Sequence, residues 1–168
     1  MNKQQKAQII SELVELINST DKIYLADCST IGGIDTNLIR RQCFEKKVKM
    51  KVAKNTLIEK AIEQSNKKDV LSGVIPHLKG ETAIFFAYEA PNAPAKIIKE
   101  FKSKCNGKPL LKAAYVEETI YVGDESVETL AQLKSKNELI AEIIGLLQSP
   151  IRRVISALEN KKGEENAA

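Results

Sequence analysis

Residues 83–88 read AIFFAY, six apolar residues in a row with no alternation of wet and dry positions. A strand has two faces, and one that is apolar on both must be covered on both. The run is too short for a buried helix, so it predicts an inner strand with helices on either side. That requirement excludes most folds: the rest of the chain must supply more strands beside this one and helices above and below it.

The flanking sequence does so. Residues 4–18 place Ile9, Ile10, Leu13, Leu16 and Ile17 on one face of an amphipathic helix. KIYLAD at 22–27 reads as a strand, and STIGG then leads to Asp35, a candidate cap for a helix ending near Phe44. Residues 49–53 alternate Lys49 and Lys51 with Met50 and Val52, the pattern of a half-buried strand with a positive wet face. Thr56 and Glu59 match a capping box for the next helix, whose inner face is Leu57, Ile58, Ala61 and Ile62. A short helix is expected over 67–74, a longer one over 92–104 with Pro94 in its first turn, strands at 110–116 and 120–122, and a last turn of helix at 125–133. The reading is an α/β fold: a compact N-terminal domain, residues 1–133, with a four- or five-stranded mixed sheet flanked by helices, plus a projecting C-terminal helical tail, residues 134–168.

The tail follows a different rule. Ser135 and Glu138 form a capping box, and Ile140, Ile144, Leu147, Ile151, Val154 and Leu158 then recur at heptad steps. Leu139, Ile143, Leu146 and Ile155 widen the stripe beyond a two-stranded seam. A lone helix cannot hold that surface in water, so the tail is expected to fold back, to pair with itself, or to be covered by a different protein. Pro150 lacks the N–H that would bond to Leu146, while Ser149-Pro150 is also a helix start, so two segments are expected, about 137–148 and 150–160.

Charge separates the chain further. Residues 40–68 hold ten Lys or Arg and three Glu, whereas residues 113–129 hold five acids and no base. Arg40, Arg41, Lys47, Lys49, Lys51, Lys54 and Asn55 are the candidate anion-binding set, with the start of the third helix beside them. Few aromatics lie among them, which favours reading the backbone and shape of a folded RNA over stacking on single-stranded bases. An ordinary solvated lysine-rich face is the competing reading.

Catalysis has little to work with. Cys28, Cys43 and Cys105 form no paired motif and read as small buried apolar residues, and one histidine, His77, gives no raw material for a zinc site. P-loop, GxGxxG, HExxH and GxSxG patterns are missing from the sequence. Asp27, at a strand end, reads as a loop-ordering carboxylate. No enzyme, cofactor or metal is expected. No apolar run is long enough to span a bilayer and the start lacks a secretory signal core, so a cytoplasmic protein without membrane contact is expected.

The stretch Lys51-Val-Ala-Lys54-Asn55-Thr56-Leu57 resembles the signature of the bacterial-type ribosomal protein L-ten family, the large-subunit stalk-base proteins. Ile39-Arg40, Lys79-Gly80-Glu81-Thr82-Ala83-Ile84, residues 95–101 (AKIIKEF) and Gly145-Leu146-Leu147-Gln148-Ser149-Pro150 continue the match in the family's order. The glycine usual after the first strand is Thr30 here, and Phe44 stands where an arginine is frequent. The resemblance implies a noncatalytic, ribosome-associated scaffold. It would bind ribosomal RNA of the GTPase-associated region beside ribosomal protein L-eleven, and hold dimers of the acidic stalk protein, L-seven/L-twelve, that recruit translation factors. On that reading the tail residues Leu139, Ile140, Ile143, Ile144, Leu147, Ile151, Val154, Ile155 and Leu158 bind the stalk protein, and the spacing about Pro150 predicts two dimers.

Overall fold

The computed structural model describes residues 2–105 and 107–165, with side chains described to residue 156. It divides into two compact units, Met1–Leu133 and Lys134–Ala168.

The first unit contains helices α1 (Lys3–Ser19), α2 (Gly33–Glu45), α3 (Asn55–Gln64), α4 (Lys68–Leu71), α5 (Ala93–Lys104) and α6 (Ser126–Gln132), with a 3-10 helix over Ser72–His77. The strands are β1 (Lys22–Asp27), β2 (Val48–Val52), β3 (Ala83–Ala87), β4 (Leu110–Val116) and β5 (Thr119–Val122). They form one sheet in the order β2-β3-β1-β4-β5. As its composition requires, β3 is an inner strand buried at every position. Phe85 and Phe86 point to opposite faces, and both are fully buried.

The two sides of the sheet carry separate cores. Tyr24, Val48, Phe85, Leu111 and Ala114 pack with Ile39 and Cys43 of α2, Ile97 and Phe101 of α5 and Leu130 of α6. Ile23, Leu25, Ile84, Phe86 and Tyr115 pack with Leu13 and Ile17 of α1, Ile58 and Ile62 of α3, and Leu71 and Val74 beyond. Full burial of a large apolar side chain contributes about 1.5–3 kcal/mol, so these two layers fix which strand sits where.

Strand direction departs from the expectation of a mixed sheet: all four pairings are antiparallel. The connectivity explains it. β1 and β2 run the same way, joined through α2, but β3 fills the slot between them; β3 and β4 run the same way, joined through α5, but β1 lies between. Two interlocked split βαβ units thus leave no parallel neighbours.

Three local expectations also change. α2 begins two residues before Asp35, which lies in its first turn, with Gly32 at the N-cap. Lys54, not Thr56, is the N-cap of α3. The 3-10 helix carries the chain through Pro76.

In the second unit, α7 spans Lys136–Glu165 as one helix with Pro150 inside it, not as two segments. A proline removes one N–H donor, and the many other bonds of a long helix propagate past it. The expected cap is present: Ser135 N–H donates to Glu138 Oε2 at 2.7 Å and Glu138 N–H to Ser135 Oγ at 3.3 Å. Lys134 adds an ion pair to Glu142 at 2.6 Å.

Candidate functional site

The basic residues are placed by α2, β2 and the start of α3. Arg40 and Arg41 are exposed on the carboxyl-terminal half of α2. Lys46 and Lys47 close that helix, with backbone N–H groups donating to Gln42 O at 3.0 Å and Phe44 O at 3.1 Å. Cations are favoured at a helix carboxyl end, so part of the charge here serves the helix itself. Lys47 is also paired with Glu89.

β2 is an edge strand, and its alternation splits it cleanly. Lys49 lies opposite Phe86 and Lys51 opposite Ile84, so both lysines share the face covered by α1 and α3. Val48 and Met50 turn toward α2 on the other face. The arginines and the strand lysines therefore flank the exposed sheet edge from its two sides and do not line one face. Lys51 pairs with Glu12 of α1 at 2.7 Å. The hydrogen bond and charge of Lys51 hold the Glu12 carboxyl below the usual carboxylate range. Arg40, Arg41, Lys49 and Lys54 are exposed and make no ion pair among the described residues.

Lys54 and Asn55 open onto a groove. One wall is Val52, Ala53, Lys54, Asn55 and Thr56; the other is Gly80, Glu81 and Thr82. Among the described residues no side chain caps the first turn of α3, whose backbone donors lie at the Lys54 end of this groove. The Asn55 side chain is engaged within the fold. Its Nδ2 donates to Leu78 O at 3.0 Å and Gly80 O at 2.7 Å, while its Oδ1 is buried without a partner in the structure. Asn55 thus ties the two walls together.

Residues outside the candidate set complete the picture. Lys79 is exposed on the loop after the 3-10 helix, and Lys112 reaches that loop from β4. Phe44 is 85% exposed one turn beyond Arg40, so the basic region does carry one accessible aromatic ring. Phe44 was visible in the sequence beside the arginines; Lys112 gave no signal, because its role depends on strand register.

Asp27 orders a loop. It accepts from Ser29 N–H at 3.1 Å, with Lys108 at 3.4 Å and Lys112 at 4.0 Å. Partial burial pushes its pKa up, but the Ser29 hydrogen bonds and the two lysine charges outweigh that and hold it below the ordinary aspartate value. Cys43 is buried, which pushes its thiol up to about 12, and burial pushes Cys28 up to about 11. Among the described residues no group of three His, Cys, Asp or Glu could hold a metal ion, and no helix is long and apolar enough to cross a membrane.

On α7, Leu139, Ile140, Ile143, Ile144, Leu147, Ile151, Val154 and Ile155 are all exposed, from 46% at Ile140 to 72% at Leu147. At 100° per residue they and Leu146 cover roughly half the helix circumference, with Glu138, Glu142, Ser149, Arg152 and Arg153 on the other half. The Leu158 side chain lies outside the described residues.

A model of the family described as ribosomal protein L10 matches residues 1–103, more than half of the chain. The chain belongs to the ribosomal protein L10 family. Relatives extend the similarity through the tail. The large ribosomal subunit protein uL10 of Christiangramia forsetii is 48% identical over 165 residues, covering 98% of this chain and 92% of that protein. The uL10 proteins of Flavobacterium psychrophilum and Flavobacterium johnsoniae are 47% and 45% identical, covering 98% and 96% of this chain and 98% and 94% of their own lengths. As an L10-family member the chain is a ribosomal protein.

Proposed function

We propose that this L10-family chain is a stalk-base scaffold of the large ribosomal subunit. Residues 1–133 form an RNA-binding domain that grips ribosomal RNA of the GTPase-associated region, with ribosomal protein L-eleven as its neighbour. Arg40, Arg41, Lys49 and Lys54 supply phosphate contacts from the rim of the sheet edge. Lys47 and Lys51 join them by exchanging Glu89 and Glu12 for phosphate, and Asn55 contributes by holding the groove in shape. Residues 134–168 form the tail that anchors two dimers of the acidic stalk protein, which in turn recruit translation factors in the cytoplasm.

The observation that carries this reading is the exposed half-cylinder of α7. Nine large apolar residues exposed on the described part of one helix need a cover, and the polar half gives the cover an orientation. The apolar stripe from Leu139 to Ile155 runs about 25 Å at 1.5 Å per residue, length for two successive partner modules. Coexpression with the acidic stalk protein followed by native mass spectrometry tests it. A complex of one chain with two dimers is the expected mass; a chain recovered alone, or carrying three dimers, refutes the assignment.

RNA binding is tested separately by filter binding to the stalk-base ribosomal RNA fragment across a salt series. The four unpaired cations give a slope of log K on log salt of roughly −3 to −4, since each contributes about −0.7 to −0.9, whereas Lys47 and Lys51 free a carboxylate as they take a phosphate and add little to it. Equal affinity for an unrelated duplex, or a flat salt response, removes the specific RNA site.

A further inference from the structure

One lysine is largely covered in a place where strand sequence gives it no reason to be. Along β1 and β4 the register shifts between Leu25 and Ala26: Leu25 lies opposite Ala113 and Ala26 opposite Leu111, so Lys112 is the extra residue of a β-bulge. A bulge re-aims its side chain, and here the Lys112 side chain, only 12% exposed, crosses to loop 78–82. Its Nζ donates to the backbone oxygens of Lys79 and Glu81 and, at 2.9 Å, to Thr82 Oγ1. An ammonium has three donors, and one loop takes all three. The Asp27 carboxylate, 4.0 Å away, balances the charge. Burial pulls the Lys112 pKa below the ordinary lysine value, with Asp27 opposing.

The same loop is held from its other side by Asn55, through Leu78 O and Gly80 O. Gly80 has φ +70°, a left-handed conformation that this clamp stabilises and that glycine adopts without steric cost. Gly80, Glu81 and Thr82 are one wall of the groove whose other wall bears Lys54. We infer that Lys112 is a positioning residue of the RNA interface: it contacts no phosphate itself and fixes the loop wall that faces Lys54. The inference rests on the RNA-binding reading above. Without the clamp, the loop would have to be ordered at the moment of binding, at the expense of affinity.

The test uses the full chain with Lys112→Met, which keeps an unbranched apolar stem one atom shorter and removes the donors. Filter binding to the stalk-base ribosomal RNA fragment is measured across a salt series, beside amide hydrogen exchange of the free protein. The expected result is a loss of affinity of roughly tenfold with the salt slope unchanged, and faster exchange confined to loop 78–82. Lys54→Ala, measured in parallel, flattens the slope by about 0.7 to 0.9. Wild-type affinity in Lys112→Met, while Lys54→Ala still weakens binding, overturns the positioning role and leaves the RNA reading standing. A slope flattened by Lys112→Met makes Lys112 a direct phosphate contact and likewise overturns it. Unchanged binding in both variants moves the RNA contact away from this groove and overturns this inference with it. Should Lys112→Met not fold, Thr82→Val removes one acceptor of the clamp at constant volume and is held to the same outcomes.

Discussion

Replacing Leu147 with aspartate is the most direct challenge to the tail's proposed role. Leu147 is 72% exposed and near the middle of the apolar half of α7. Complete burial of a leucine contributes about 1.5–3 kcal/mol, so a partner covering the exposed part gains roughly 1–2 kcal/mol from this side chain. Losing it weakens binding about five- to thirtyfold, at 1.4 kcal/mol per decade. Aspartate costs more, because an unpaired carboxylate must also be stripped of water at the interface, a penalty of several kcal/mol. The total is roughly 4 kcal/mol, a thousandfold in affinity. Native mass spectrometry of the variant coexpressed with the acidic stalk protein should show stalk dimers lost, while affinity for the ribosomal RNA fragment stays at the wild-type value. Ser149→Asp puts the same charge on the polar half of the same helix and should retain the full complement of dimers. If Leu147→Asp keeps that complement too, the apolar half is not the binding face and the reasoning from exposure fails.

Glu12→Gln releases Lys51 from its 2.7 Å ion pair, and should steepen the salt dependence of RNA binding; an unchanged slope would show that Lys51 faces away from the RNA. For Asp27 the folded pKa lies below the unfolded value near 3.8, so the unfolded chain binds more protons between the two, and the stabilisation present above pH 4 is lost as pH falls through the folded pKa. Asp27→Asn should therefore lower stability at neutral pH and flatten its decline below pH 4 in denaturant titrations; parallel pH curves for the two proteins would contradict this. Cys43, buried and with its thiol pushed up to about 12, should resist iodoacetamide at pH 8 in the folded protein and react only on unfolding, as read by intact mass. Tyr24 donates its hydroxyl to Pro91 O at 2.5 Å inside the core, so Tyr24→Phe strands a buried carbonyl and should cost about 1–3 kcal/mol by chemical denaturation.

Much of this architecture was legible because it rests on one-dimensional patterns. The doubly apolar run at 83–88 demanded helices on both faces, and α1, α3, α2 and α5 supply them. β1 and β4 fall on the residues read as strands, 22–27 and 110–116. What escaped depends on contacts between distant segments. Strand direction is set by which strand fills the gap left by each crossover, and no local pattern encodes that. The start of α3 moved because Asn55 is held by carbonyls 23 and 25 residues further on, an arrangement invisible beside the Thr56-Glu59 pattern. Pro150 reads locally as a helix start, yet a 30-residue helix continues through it. Thr30 adopts φ +66°, a conformation that glycine takes freely and in which a β-branched residue carries strain.

The polar groups around β2 then fall into two classes with different consequences. Lys47 with Glu89 and Lys51 with Glu12 are ion pairs of exposed side chains, and such pairs are worth about 0–1 kcal/mol. They hardly hold the fold, and a phosphate replaces the carboxylate at little cost. Meanwhile the lysines keep the β2 edge charged, which guards an unpaired strand against adding another chain. Asn55 and Lys112 belong to the other class: their donors are committed to backbone oxygens of one loop, and no phosphate can take them without undoing the groove. Net charge alone counts both classes together. Affinity should follow the exchangeable and exposed cations through the salt slope, whereas selectivity for one RNA shape should follow the clamped loop, because only a wall with a fixed form can reject a surface that does not match it.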